Sequence, residues 1–154
     1  ATSNPLWASV YRLLPALFGA SATATSTAAL SLTLGSVAGS ESARRGLEKV
    51  GLVAGGAELL LSHAMERKWQ HDQLPAPSEE KSVASMYKLS KALGVVAPLA
   101  IHAATQLSGR RSRSLSMLAA VATLAGGYLL RSALLSAGNA AAEHPGDYFR
   151  FTQP

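Results

Sequence analysis

The sequence predicts an all-α chain, a four-transmembrane-helix bundle, and three observations carry that prediction. Hydrophobic residues make up 48% of the 154 residues and charged residues only 15%, whereas an ordinary soluble domain carries about 25% charged residues. Alanine and leucine, both strong helix formers, dominate, and the β-branched residues that favour sheet are few. The charges flank four apolar stretches and seldom enter them. A water-soluble bundle with so little polar surface would leave large apolar faces exposed.

The first stretch runs from Leu13 to Ser40 without one charge, longer than the about 20 residues that cross a hydrocarbon layer about 30 Å thick. Its Ser and Thr hydroxyls can bond back to their own helix carbonyls, and with Ala they let a neighbouring helix approach closely. The second, Val50 to Met65, is interrupted by Glu58. The third, Ala92 to Gly109, follows Lys88 and Lys91 and contains Pro98, which removes a donor and loosens the helix. The fourth starts at Ser114, reaches Arg131 and continues to Ala142.

The spans are accordingly placed at 8–36, 47–66, 87–108 and 114–138 within a transmembrane domain of residues 1–142, with 143–154 as a polar C-terminal tail. Four spans put both termini on one side. Arg44, Arg45, Lys49, Arg110, Arg111 and Arg113 crowd the first and third connections, and the positive-inside rule favours these as the cytoplasmic ones.

The net charge of +5 comes from basic residues beside apolar runs, with no stripe of interleaved aromatics. Lipid headgroups are therefore the expected counterpart and nucleic acid is not. No cysteine is present, which excludes disulfides and any iron–sulfur cluster held by this chain. No phosphate-cradling loop, HExxH pair or Ser/His/Asp arrangement supports a self-contained hydrolase or nucleotide enzyme.

Ionisable groups inside the stretches are the candidates for chemistry, because a bare charge there is costly. Glu58 reads either as a proton-relay acid or as a structural partner of Arg131, Lys91 or a helix hydroxyl. Glu58 and His63 lie about 140° apart around a helix and should not share a ligand face. Lys91 and His102 return to nearly the same face about 16 Å apart and could line a polar track. Gly126 and Gly127 allow close packing beside Tyr128, and Asn139 suits either a helix end or a carbonyl contact.

The opening NPLWASVYRLLPALFGASATATSTAAL resembles the start of a repeat in the NrfD/PsrC family of polytopic membrane subunits. The ending GGYLLRSALLSAGNAAAEHPGDYFRFTQP, residues 126 to 154, is similar to that family's last helix and polar tail. The chain thus resembles the C-terminal four-helix half of a family member.

The resemblance implies a quinone-interacting anchor in the bacterial inner membrane, non-catalytic alone but part of an oxidoreductase complex. Its implied partners are an iron–sulfur subunit and a molybdopterin oxidoreductase, with another membrane half and lipids beside it. Menaquinone or ubiquinone is the implied cofactor, with no iron–sulfur cluster or haem in this chain. Glu58, His102, Arg131 and Lys91 are then the proton-transfer candidates, and His63, Tyr128 and Asn139 the quinone-binding ones. No metal site is expected. A noncatalytic assembly subunit and a small transporter remain as alternatives.

Overall fold

The computed structural model describes residues 4–35, 37, 39–74, 81–108 and 112–142, which are helical with no strand among them. The tail 143–154, the centre of the polar loop at 75–80 and residues 109–111 of the basic connection lie outside the described residues. Four long helical stretches, one of them bent, follow a single opening turn.

That opening turn is α1 (Pro5–Ser9). Asn4 caps it, its Oδ1 accepting from the Leu6 and Trp7 amides at 3.1 and 3.4 Å, and Pro5 needs no amide partner at the first helical position. Asn4 Nδ2 also donates to the Gly138 carbonyl at 2.6 Å, tying α1 to the far end of the chain. The next helix, α2 (Leu13–Leu34), starts later than the expected span. Pro15 explains the delay, since its ring conflicts with the carbonyl one turn back and its missing N–H is harmless only within a first turn.

Inside α2 the hydroxyls return to their own helix as the composition suggests. Thr23 donates to the Gly19 carbonyl at 2.9 Å, Thr25 to Ser21 at 2.8 Å and Thr27 to Ala24 at 2.9 Å. The turn after α2 uses Gly39 at φ +79° and the Ser40 hydroxyl, which donates to the Leu34 and Val37 carbonyls, both at 2.7 Å.

Helix α3 (Glu41–His71) extends beyond the apolar stretch at both ends. It stops in a Schellman arrangement: the Gln73 amide donates to the Gln70 carbonyl at 3.2 Å and the Leu74 amide to Trp69 at 2.9 Å. Gln73 occupies the left-handed position at φ 55°, and buried Leu74 closes onto the Trp69 cluster.

Helices α4 (Lys81–Lys91) and α5 (Ala97–Ser108) are joined by a π-helical turn, Ala92–Val96, in which the Ala97 amide reaches the Ala92 carbonyl. Pro98 supplies the cause: it has no N–H for the Gly94 carbonyl, and its ring pushes the backbone of that turn outward. The wider turn delivers Gly94 onto α6 (Arg113–Ala142), where a Cβ on Gly126 would overlap the Gly94 Cα and lie 2.8 Å from the Ser90 carbonyl oxygen. Gly127 meets Thr25 of α2 in the same way, and a Cβ on Gly138 would stand 2.6 Å from the Trp7 ring. Close backbone approach through small residues is how helices associate where burial in water is not the driving force.

The described helices therefore form two packing zones. At the Trp69 end, Leu6, Val10, Leu17, Met65, Trp69, Val83, Tyr87, Leu130 and Leu134 make a continuous buried cluster, and Trp69 Nε1 donates to the Leu6 carbonyl at 3.0 Å. At the opposite end the contacts are made by Ala24, Ala28, Gly55, Gly94, Ala119 and Ala120. Two helices, α2 with 22 residues and α6 with 30, are long and apolar enough to cross a membrane.

Candidate functional site

The interior polar groups start from a helical repeat in α3. Glu58, Ser62 and Glu66 are spaced by four residues, so they share one face and span about 12 Å of helix. Glu58 is 5% exposed and Ser62 1%. The groups nearest the Glu58 carboxyl are the Ser21 hydroxyl of α2 and the Arg131 guanidinium of α6. Gly127 adjoins both, its Cβ position lying 3.6 Å from Arg131 Nη1 and from Ser21 Oγ.

One turn along α3, the Tyr87 hydroxyl of α4 faces Ser62 and Glu66. Lys91, one turn beyond Tyr87 on α4, donates to Glu66 Oε1 at 2.5 Å and covers the Tyr87 ring, its Nζ 4.5 Å from the ring centroid. The result is a row in which two hydroxyls, Ser62 and Tyr87, lie between two acids, Glu58 and Glu66, with Arg131 at the inner end and Lys91 at the outer. Ser21 Oγ and Tyr87 Oη are buried without a partner at hydrogen-bond geometry, so each hydroxyl is free to turn toward a neighbouring carboxyl.

Of the proton-transfer candidates, Arg131 lies within electrostatic reach of Glu58 without an ion pair, and Lys91 joins the same face through Glu66. His102 is elsewhere. The expected shared face of Lys91 and His102 is corrected by the π turn between them, which acts as one extra residue and rotates the following helix by about 100°. His102 instead lines a small cavity with Thr27, Gly51, Gly55, Pro98 and Thr123, about 50 Å³ in volume.

The quinone-binding candidates do not converge inside. His63 and Asn139 are exposed and Tyr128 is 71% exposed, in line with exposed Val121 and Leu135 on the outer face of α6. A cavity of 50 Å³ admits a few waters and is far below the about 300 Å³ of a small-molecule pocket. Two wider spaces lie elsewhere, a polar cleft of about 280 Å³ and an apolar groove of about 430 Å³ beside Gly19, Val50, Val53 and Ala57. His63 and Glu58 fall on different faces, as their spacing requires. Among the described residues no group of three or more His, Asp or Glu converges as metal ligands.

The sequence reading missed Glu66, Tyr87 and Ser21. The four-residue spacing of Glu58, Ser62 and Glu66, matched by that of Tyr87 and Lys91, was the signal that could have found most of the row. The chain matches no protein-family model, no curated protein and no solved structure.

Proposed function

We propose that this chain is a multi-pass membrane subunit, a four-span bundle in the bacterial inner membrane that anchors a quinone-linked iron–sulfur/molybdopterin oxidoreductase complex. The observation that carries the membrane part is its inverted polarity. Val53, Leu60, Val121, Tyr128 and Leu135 are more than half exposed at mid-helix, while Ser21, Thr27, Glu58, Ser62 and Ser90 are buried. In α3 only Glu58 carries a charge between Lys49 and Glu66, a distance of about 25 Å that approaches the hydrocarbon thickness. The charged groups of α3 outside that interval belong with the headgroups. Only a minority of each apolar window in α2 and α6 is buried, 28% and 39%, and lipid is the solvent that accepts the remainder.

The assignment to an electron-transfer complex rests on the resemblance of the opening and closing residues to the NrfD/PsrC family. In that complex the row from Glu58 through Ser62, Tyr87 and Glu66 to Lys91 is this chain's own contribution, an internal path on which protons are held and passed between carboxyl and hydroxyl oxygens. Exposed Tyr128, His63 and Asn139 are available to another membrane half, and any quinone contact is shared with that neighbour. The outward placement of these three residues also favours a second reading, a noncatalytic assembly subunit whose interior charges only register its helices.

Extraction of the native protein in mild detergent, followed by mass spectrometry of its stoichiometric partners, tests the assignment. Recovery with iron–sulfur and oxidoreductase subunits is expected; recovery alone after gentle extraction contradicts it. Loss of quinone turnover in Glu58→Gln with the complex intact supports the proton path, and unchanged turnover leaves the assembly reading.

A further inference from the structure

At the end of the molecule opposite Trp69, a polar cleft of about 280 Å³ opens between the α2–α3 turn, the last turn of α5 and the first turn of α6. Arg44, Arg45 and Arg113 line it, with Ser40, Ser112 and Ser116 among the hydroxyl groups beside them. Glu41 and Glu48 also line the cleft and offset part of this charge, without a direct ion pair to it among the described residues. The ion pairs among the described residues are Lys68–Asp72, His71–Asp72 and Lys91–Glu66, all elsewhere. Arg44 Nε is buried and meets no hydrogen-bond partner, which is costly for a charged donor unless a ligand completes it. The long helices α3 and α6 both begin beside this cleft, which Glu41 and Arg113 line, and a helix N-terminus favours an anion. Val37 lines the cleft at 56% exposure, so an apolar side chain adjoins the cationic ones.

We propose that this cleft binds the phosphate headgroup of an anionic membrane lipid, with the Arg44 and Arg113 guanidiniums on the phosphate oxygens and the acyl chains leaving past Val37. Guanidinium and phosphate match in planar, two-point geometry. The inference rests on the membrane reading above and adds a specific lipid class to it.

The test uses the full chain in nanodiscs of equal parts phosphatidylglycerol and phosphatidylcholine, with lipid retention read by native mass spectrometry. The wild type is expected to retain phosphatidylglycerol over phosphatidylcholine by about fivefold or more for each engaged guanidinium. The Arg44→Gln/Arg113→Gln double variant should lose that preference while its helical signal stays intact, and Arg67→Gln at the other end should keep it. Equal retention of the two lipids by the wild type, or an unchanged preference in the double variant, overturns the proposal. Binding of inorganic phosphate in detergent that displaces phosphatidylglycerol assigns the cleft to a free anion and rejects the lipid. A chain that stays soluble without lipid or detergent defeats the membrane reading itself; one that enters the discs without lipid preference defeats only the headgroup site.

Discussion

The two ends of the bundle are built from different materials. At one end Trp69, Met65, Tyr87, Leu6 and Leu134 fill the interior, and the polar groups there are drawn into a row with named neighbours. At the other, glycine and alanine line a small cavity that shares Glu48, His102 and Ser116 with a cleft where three guanidiniums outnumber two carboxylates. The contrast separates a zone that fixes the helices from a zone that leaves room beside free charge. Glu58 lies in the interior between them, facing the Ser21 hydroxyl and within electrostatic reach of Arg131 on two other helices.

Substitutions should register that contrast in order of size. Trp69→Ala removes the largest fully buried side chain and the 3.0 Å bond to the Leu6 carbonyl, and is expected to cost about 4 kcal/mol in unfolding from detergent micelles. Arg131→Leu removes the cation whose charge reaches the buried Glu58 carboxyl without a direct ion pair and should cost about 2 kcal/mol. Adding Glu58→Gln to Arg131→Leu should recover most of that loss, and a double-mutant cycle with no coupling would break that electrostatic link.

Gly126→Ala drives a methyl into the Gly94 backbone and should cost about 2 kcal/mol. Gly56→Ala, with nothing within 4 Å of the new methyl, should stabilise α3 by up to about 1 kcal/mol. Equal effects of the two alanines would erase the distinction between close-packed and open glycines.

Smaller effects belong to the end of α3. Lys68, bonded to Asp72 at 2.8 Å, holds that carboxyl below the usual aspartate range, with His71 assisting. A lowered folded-state value means the contribution is present above the unfolded aspartate value near about 3.9 and is lost as pH falls through the lowered one. Asp72→Asn should therefore cost about 0.5 kcal/mol at neutral pH, the size of a solvent-screened pair, and nothing once both forms are protonated. Gln73→Gly relieves the φ of 55° and should add about 0.5 kcal/mol, read as a small rise in melting temperature.

Much of this arrangement was legible in the residues. The four helical stretches follow the apolar runs, and the role of Ser and Thr in α2 follows from their chemistry. The meeting of Glu58 with Arg131 and a helix hydroxyl was among the alternatives weighed. The π turn was not foreseen, because Pro98 announces a disturbance without saying whether the helix kinks or widens, and the widening is what separates Lys91 from His102. Glu66 was missed because it stands just past the apolar run, where a carboxylate reads as solvated until α4 brings Lys91 against it. The outward placement of Tyr128, His63 and Asn139 was hidden for a further reason. An apolar face marks the inside of a helix only in water; in lipid both faces are apolar and helix packing decides which turns inward.

The inverted polarity is the central claim, and the absence of native cysteine makes it directly measurable. Single cysteines at Val53, Leu60, Val121 and Leu135, reconstituted in liposomes, should resist a membrane-impermeant maleimide until detergent denaturation, while cysteines at Arg45 and Lys68 react from their respective sides. Rapid labelling of all six positions in intact liposomes would show that water, and not lipid, bathes the exposed apolar faces, and would contradict the account.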